Sequence, residues 1–299
     1  VRSPQWFADR LDAIYGPETA AAIDACHRLE APIDLTLKAD EAAKADEWAE
    51  KLGAVVLSTG SLRLTGPSRD IAELPGFADG IWWVQDAAAA MPARLFGELA
   101  GKTALDCCAA PGGKTAQLAD AGARVTALDL SANRLKRLAG NLERLGLSDA
   151  CQTIATDLFK FAPEESFDAV LLDAPCSSTG TVRRHPDVPY AKSAADIEKL
   201  AGLQARMLDK ASQWVRVGGV LVFSNCSLDP VEGEAVARHF AAAHPDFAIV
   251  PVTLDEARGF GDAITAEGFL RLTPAHIDLG DPAISGVDGF FAARFHRLA

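Results

Sequence analysis

Short apolar runs alternate with amphipathic segments through the second half of the chain, and this alternation restricts the fold more than any other feature. The predicted strands occupy 103–108, 124–130, 151–156, 169–174 and 220–225, and most of them contain several aliphatic residues. The segments between most of them have the period of a helix. A repeated strand and helix order is typical of parallel strands joined by helical crossovers. The sequence therefore predicts an α/β fold with a doubly wound parallel sheet, to which 289–295 adds a late edge strand.

The chain before this alternation is predicted to form a smaller unit of helix and sheet. Predicted helices cover 17–29 and 39–52, and predicted short strands cover 33–37, 54–57 and 61–64. After a Pro-Gly pair, a strand over 81–84 and a helix over 85–99 lead into the alternating region. We therefore expect two domains, a small α+β domain over residues 1–76 and an α/β domain over residues 77–299.

Composition limits the function classes that are open to this chain. With 299 residues and 49% hydrophobic content, the chain has enough apolar side chains for a large core. No apolar stretch approaches the roughly 20 residues of a membrane helix. The six cysteines lack C-x-x-C spacing, which fits reduced thiols and favours neither disulfides nor zinc. We expect a cytoplasmic monomer without a metal, and a start at Val1 suggests a trimmed chain.

The net charge of −12 argues against non-specific binding of polyanions. A nucleic acid would have to bind a local basic surface rather than respond to the field of the whole molecule.

A glycine-containing turn follows the first strand of the alternation. It reads D-C-C-A-A-P-G-G-K-T over residues 106–115 and leads into a predicted helix, whose free N–H groups face the turn. A phosphate-binding Walker loop requires glycine where Cys108 stands, and the G-x-G-x-x-G pattern of dinucleotide sites is absent. The remaining interpretations are a cofactor without a phosphate at this turn, for which S-adenosylmethionine is suitable, or a turn that only packs helix on strand.

Acidic residues end the next two predicted strands. Asp129 is placed to accept hydrogen bonds from both hydroxyls of a ribose. Arg134, one helical turn later, either holds that carboxylate or is solvated. Asp157 either accepts from an adenine amino group or caps the segment that follows it.

Two cysteines lie at the carboxyl ends of predicted parallel strands, where ligands gather in open α/β sheets. Cys176 follows Asp173 after one strand, and Cys226 follows the last strand of the alternation. Free cysteines are most often inert core residues. Small polar neighbours favour strand-end turns for these two, so we expect both thiols to take part in covalent chemistry beside Asp173.

Several motifs together resemble those of the RNA cytosine-5 methyltransferases, most closely the RsmB group that acts on small-subunit ribosomal RNA. They are D-C-C-A-A-P-G-G-K-T at 106–115, D-A-P-C-S-S-T-G at 173–180, R-R-H-P-D at 183–187, N-C-S at 225–227 and D-G-F-F at 288–291. The resemblance implies a Rossmann-like methyltransferase domain behind a small amino-terminal RNA-binding domain, with S-adenosylmethionine as cofactor. The residues expected at the cofactor are Cys108, Ala109, Ala110, Pro111, Gly112, Gly113, Lys114, Asp129, Arg134, Asp157 and Asp173.

The same resemblance assigns different work to the two cysteines. Cys226 would attack carbon 6 of cytosine and Cys176 would assist release, while Asp173 would hydrogen-bond the base edge. Lys114 is our candidate for the positive neighbour that favours the thiolate. The residue before the nucleophile is usually Thr in the family, and here it is Asn225.

Basic residues that follow the first cysteine loop are candidates for RNA binding. Arg183, Arg184 and His185 could contact phosphates or could be a solvated charged group. The expected partner is 16S rRNA or the assembling small subunit, with the target base unstacked. The alternatives are an inactive RNA-assembly factor of the same fold, a tRNA cytosine-5 methyltransferase, and a methyltransferase that acts on protein or a small molecule.

Overall fold

In the computed structural model, which describes residues 3–66 and 70–299, the first strands form a small antiparallel sheet. Its members, in the order β2-β3-β1-β4, are β1 (Asp34–Leu37), β2 (Ala54–Val56), β3 (Leu62–Leu64) and β4 (Trp82–Val84). Helix α2 (Ala45–Leu52) buries its apolar face against this sheet. The helix predicted over 39–52 is therefore divided into a 3₁₀ segment over Ala39–Lys44 and helix α2.

Helix α1 (Gln5–His27), which bends at Gly16, packs on the α/β domain rather than on the small sheet. Its residues Phe7 and Ile23 share an apolar cluster with Val182 and Leu228.

The small sheet extends beyond residue 76, because β4 supplies its fourth strand by pairing with β1. Residues 1, 2 and 67–69 of the predicted small domain lie outside the described residues. We therefore propose that the small domain ends near Val84 rather than at residue 76.

The second sheet is mixed and, within residues 3–66 and 70–299, contains eight strands. They are β5 (Thr103–Cys107), β6 (Arg124–Asp129), β7 (Cys151–Ala155), β8 (Phe167–Asp173), β9 (Val215–Asn225), β10 (Phe247–Ile249), β11 (Leu270–Leu272) and β12 (Phe290–Arg297). The order is β10-β12-β9-β8-β5-β6-β7, with β11 also paired to β12. The pairs from β9 to β7 are parallel, which confirms the α/β prediction.

The prediction of a late edge strand over 289–295 is wrong. Strand β12 lies inside the sheet, antiparallel to β9 on one side and to β10 and β11 on the other. Its first six residues are all buried, as an interior strand requires. Strands β10 and β11 were not predicted, because three residues are too few to establish a period.

Helices cover both faces of this sheet. They are α3 (Met91–Arg94), α4 (Gly113–Asp120), α5 (Ala132–Arg144), α6 (Val188–Ala191), α7 (Ala194–Ser212) and α8 (Glu234–Ala243). Alternate strand residues face opposite sides, so Ala104 belongs to the same apolar cluster as Leu138 of α5, whereas Leu105 belongs to the cluster that contains Leu208 of α7. None of the described helices is long and apolar enough to cross a membrane.

The helix predicted over 85–99 is wrong except for α3. The side chain of Asp86 accepts from the N–H of Ala88, which favours a turn over a helix. Pro92 stands in the first turn of α3, and Gly97 adopts a φ of 69° soon after the helix ends.

A buried ion pair joins the small sheet to the carboxyl-terminal part of the chain. Arg63 donates to both oxygens of Asp34 at 2.7 and 2.8 Å and to the carbonyls of Ile284 and Gly286. The side chains of Arg63 and Asp34 are both 0% exposed. Asp34 also accepts from the N–H of Ala87, so the carboxylate links both domains.

Replacing Arg63 by Met should therefore destabilise the protein. The change leaves Asp34 buried without its cation, which we expect to cost about 3–5 kcal/mol of unfolding free energy. Urea denaturation of both proteins measures the difference. Arg238→Met removes an exposed cation, should cost less than about 1 kcal/mol, and serves as the control. Equal losses in the two variants would contradict the interpretation.

Candidate active site

Strands β8 and β9 bring the two cysteines to one edge of the sheet. They pair in parallel as far as Asp173 opposite Ser224, so the chain leaves both strands at the same level. The Sγ atoms of Cys176 and Cys226 lie 3.5 Å apart. The strand-end position predicted for both thiols is confirmed, and the distance allows hydrogen bonding between the two sulfurs.

The surroundings of Cys176 favour its protonated form. The hydrogen bond with Cys226 and then burial raise the pKa of Cys176 well above its ordinary value, and the negative charge of Glu232 adds to the effect. The N–H of Ser178 lies 3.4 Å from its sulfur. At neutral pH Cys176 is therefore a neutral thiol that can donate a hydrogen bond to its neighbour.

Glu232 connects the two loops that carry the cysteines. Its carboxylate accepts from the backbone N–H of Ser177 at 2.9 Å, from the Ser177 hydroxyl, from the Ser227 hydroxyl at 2.5 Å and from Gln204 at 3.0 Å. Each serine directly follows one of the cysteines. Glu232 is 0% exposed, so these bonds are shielded from water and hold the two thiols at a fixed separation.

Asn225 organises the turn before Cys226. Its amide donates to the backbone carbonyl of Glu232 at 2.8 Å, and its carbonyl accepts from the N–H of Ser227 at 3.0 Å. Asparagine at this position thus supplies one donor and one acceptor to the same loop.

Asp173 carries a lysine partner beside the thiols. Lys114 Nζ lies 2.8 Å from one Asp173 oxygen, and the Ser224 hydroxyl donates to the other oxygen at 2.9 Å. The ammonium also lies 4.7 Å from the centre of the Phe290 ring. Among the described residues the contacts of Lys114 are thus with a carboxylate and a ring, and its influence on a thiolate stays a prediction.

The glycine turn between β5 and α4 has the geometry that its sequence requires. Gly112 adopts a φ of 109°, and a Cβ there would lie 2.7 Å from Leu138 Cγ. Helix α4 begins at the next residue. Both the conformation and the close approach of α5 therefore require glycine at this position.

A cavity of about 530 Å³ lies at this edge of the sheet and contains both thiols. Its polar lining residues include Asp129, Arg134, Asp157 and Asp173, and the glycine turn contributes Cys108 and Ala110. The remaining predicted cofactor residues lie outside this lining, in the same turn (Ala109, Pro111 and Gly112) and in the first turn of α4 (Gly113 and Lys114). Apolar walls come from Leu128, Leu130, Leu158, Phe159, Leu203 and Met207.

Asp129 is held at the cavity by the backbone around it. It accepts from the N–H groups of Ala110 at 3.1 Å and Ser131 at 2.9 Å. Arg134 lies 3.5 Å from Asp129 and also donates to the carbonyl of Ala110, although more than half of its side chain is exposed. Of the two interpretations of Arg134, the structure favours the one in which it holds the carboxylate.

Asp157 takes the capping role, one of the two that the sequence left open, and its contact with an adenine amino group stays a prediction. Its carboxylate accepts from the N–H of Phe159 at 3.0 Å and caps a 3₁₀ segment, and the same residue lines the cavity.

The two arginines after the Cys176 loop form ion pairs within the protein, whereas His185 does not share their burial. Arg183 is buried and pairs with Asp86 and Asp288 at 2.8 and 2.9 Å. Arg184 pairs with the same two carboxylates, and 28% of its side chain is exposed. His185 is exposed. This burial does not favour an RNA contact by Arg183, and contacts by Arg184 and His185 stay predictions.

Two buried carboxyl groups near the cavity were not predicted as site residues. One is Glu232, which stands six positions after Cys226 and shows no motif of its own. The other is Asp106, which begins the glycine motif; burial raises its pKa to about 7, and Thr115 donates to one of its oxygens. Among residues 3–66 and 70–299 no group of side chains could hold a metal ion.

Comparison with known proteins identifies the family of this chain. Residues 97–296 match the family described as 16S rRNA methyltransferase RsmB/F, and this range includes both cysteines and the glycine turn. The chain belongs to this family. As an RsmB/F family member it has the α/β Rossmann-like methyltransferase fold, which confirms the fold that the motifs implied.

Individual relatives are similar over most of the chain. The ribosomal RNA small subunit methyltransferase B of Vibrio cholerae is 38% identical over 83% of the chain, and a probable enzyme of that name from Synechocystis is 33% identical over 98%. The chain spans 58% and 66% of these two proteins. The solved structure of a methyltransferase homologue from Pyrococcus horikoshii superposes on 98% of the chain, and the match covers 94% of that homologue. The sequence identity is 27% and the TM-score is 0.78.

Glu232→Gln should separate the positioning of the thiols from their chemistry. The amide keeps an acceptor for Ser177 but loses the negative charge that raises the pKa of Cys176. We therefore expect that pKa to fall, as measured by the pH dependence of Cys176 alkylation. Glu232→Ala removes the acceptors of two buried serines and should lower the free energy of unfolding by about 1–3 kcal/mol. An unchanged alkylation profile in the Gln variant would contradict this role.

The buried carboxyl of Asp106 should make stability depend on pH. Its pKa in the folded protein is about 7, above the ordinary value of 3.8. At a pH between these two values the carboxyl is protonated in the folded state and ionised in the unfolded state. Stability from this group is complete at low pH and declines as pH rises towards 7, by up to about 1.4 kcal/mol per pH unit. Denaturation between pH 5 and 7 should show a flatter profile for Asp106→Asn; parallel profiles would contradict the prediction.

Proposed function

We propose that this protein is an S-adenosylmethionine-dependent RNA methyltransferase that forms 5-methylcytosine in small-subunit rRNA. One observation carries the proposal. Two thiols lie 3.5 Å apart in a cavity that is also lined by Asp173, Asp129 and Asp157. A methyltransferase that acts on an already nucleophilic atom needs no thiol, whereas carbon 5 of cytosine must first be activated by a nucleophile.

The cavity suits the cofactor by the chemistry of its lining. Carboxylates at Asp129 and Asp157 can accept from ribose hydroxyls and from an amino group. The glycine turn lacks the pattern that holds a phosphate, and apolar side chains are available to pack against an adenine ring. When bound, S-adenosylmethionine supplies an electrophilic methyl group on a sulfonium.

Cys226 acts as the nucleophile in this scheme. Its thiolate forms a bond to carbon 6 of the cytosine, and the displaced π electrons make carbon 5 able to take up the methyl group. Asp173, fixed by Lys114 and Ser224, hydrogen-bonds the base edge and favours a proton at nitrogen 3. Cys176 stabilises the thiolate before attack by donating a hydrogen bond to it.

Cys176 acts in the second half of the reaction. Once the Cys226 sulfur is bonded to carbon 6, it no longer competes for the Cys176 proton, and in this scheme Cys176 gives that proton to water. The resulting thiolate takes the proton from carbon 5. The C–H electrons restore the double bond between carbons 5 and 6, the bond from carbon 6 to sulfur breaks, and its electrons return to Cys226.

The choice of RNA rests on the relatives and on the small domain. The Vibrio cholerae relative is named as a small-subunit ribosomal RNA methyltransferase, and its matched region contains the site described here. The base must leave its stack to reach the cavity, so a loop or an incompletely assembled RNA is the expected substrate. We propose that the small domain, with Arg184 and His185, contacts this RNA.

Methyl transfer to RNA by cysteine variants tests the proposal. With labelled S-adenosylmethionine and 16S rRNA transcript, the wild type should yield 5-methylcytosine, detected by mass spectrometry of the digested RNA. Cys226→Ala should lose at least about a thousandfold in rate, because the bond from sulfur to carbon 6 that activates carbon 5 no longer forms.

The control variant is Cys151→Ala, whose thiol lies outside the cavity and which should remain active. Methylation by Cys226→Ala would overturn the mechanism. Activity on tRNA but not on rRNA would keep the chemistry and overturn the substrate.

A further inference from the structure

A second cavity, which we call the Arg94 cavity, lies between the small sheet and the far end of α4. It has a volume of about 450 Å³ and shares no lining residue with the cavity of the cysteines. The small sheet contributes Thr36 and Trp83, and the α/β domain contributes Arg94, Asp120 and Arg258. The volume is in the range of small-ligand sites.

Arg94 is a cation without an anionic partner in this cavity. Among the described residues its guanidinium makes one hydrogen bond, a contact of 3.9 Å with the sulfur of Met91. Burial and then the positive charge of Arg258 lower the pKa of Arg94 to about 10, so the group is still protonated at neutral pH. No carboxylate contributes to that pKa.

The other charged groups of the cavity do not supply the missing anion. Arg258 donates to the carbonyl of Thr59 at 3.2 Å and forms no ion pair within the described chain. Asp120 accepts from the N–H of Ala39 at 2.7 Å, and the charges that act on it are those of Lys38 and Asp40 rather than Arg94. Two guanidinium groups therefore share one cavity while its carboxylate is engaged elsewhere.

The neutral polar side chains of the cavity are also engaged. Gln117 donates to the carbonyl of Ala90 and accepts from Gln85, and Thr36 donates to Gln85. A protonated, largely enclosed guanidinium beside a second one is unfavourable unless an anion joins them. Guanidinium groups match phosphate oxygens in charge and in hydrogen-bond geometry.

We infer that the Arg94 cavity binds a phosphate group of the RNA, at a contact separate from the cavity of the cysteines. This inference rests on the proposed function, because an RNA substrate supplies phosphates beyond the target nucleotide. For a protein with a net charge of −12, local cation pairs of this kind are needed to hold RNA. The position between the two domains allows one phosphate to contact both.

RNA binding by charge-removing variants tests the inference. Arg94→Met keeps the length of the side chain and removes its charge, and Arg258→Ala removes the second cation at an exposed position. Arg238→Met, which does not line this cavity and removes the same charge, is the matched control. The measurements are filter binding of 16S rRNA transcript at several salt concentrations, the RNA dependence of methyl transfer, and thermal melting with inorganic phosphate.

We expect each cavity variant to weaken RNA binding about threefold to tenfold and to reduce the slope of log K against log salt by about 0.7–0.9. KM for RNA should rise by the same factor with kcat unchanged, and Arg238→Met should behave as wild type. If Arg94→Met does not fold, Arg258→Ala decides.

RNA binding and salt slopes equal to those of Arg238→Met would overturn the inference. A second result would also overturn the inference. In that result, inorganic phosphate stabilises the wild type but not the cavity variants, while RNA binding is unchanged, and the site would then be assigned to a free phosphate. Neither result touches the proposed function, since that depends on the loss of methyl transfer in Cys226→Ala.

Discussion

The parallel pairing of β8 with β9 is the constraint on which the site depends. Because Asp173 lies opposite Ser224, both chains leave the sheet at one level, and short loops bring Cys176 and Cys226 into contact. A slip in this register would reverse the faces of the strand and separate the thiols. Adjacent packed strands thus provide a rigid base for chemistry that requires two sulfurs at a fixed distance.

Buried polar groups hold the two loops that follow β8 and β9 in fixed positions. Glu232 ties the residue after each cysteine to one carboxylate, and Asn225 ties the same turn to the backbone of Glu232. Arg63 connects the small sheet to the carboxyl-terminal segment by donating to the carbonyl of Gly286. Arg183 and Arg184 connect the loop after Cys176 to the same segment through ion pairs with Asp288. Charges that sequence reasoning treats as surface groups are therefore part of the framework.

Periodicity and strand-end position made most of the fold predictable, because the five parallel strands alternate with segments of helical period and most of them contain several consecutive apolar residues. The thiols, Asp129 and the glycine turn were predictable for the same reason, since each follows a recognisable strand. The role of Glu232 and the burial of Arg183 depend on partners distant in sequence, such as Asp288, which no local pattern reveals. The short strands β10 and β11 are defined by their pairing with β12 and not by their own residues.

The central claim is that the two thiols divide the work, with Cys226 forming the bond to the base and Cys176 ending it. The most direct measurement is peptide mapping of the protein–RNA species that accumulates when Cys176→Ala is incubated with RNA and S-adenosylmethionine. After digestion with nuclease and protease, a methylated cytidine adduct should be found on the peptide that contains Cys226 and at that sulfur. An adduct on another residue, or complete turnover by Cys176→Ala without an adduct, would contradict the account.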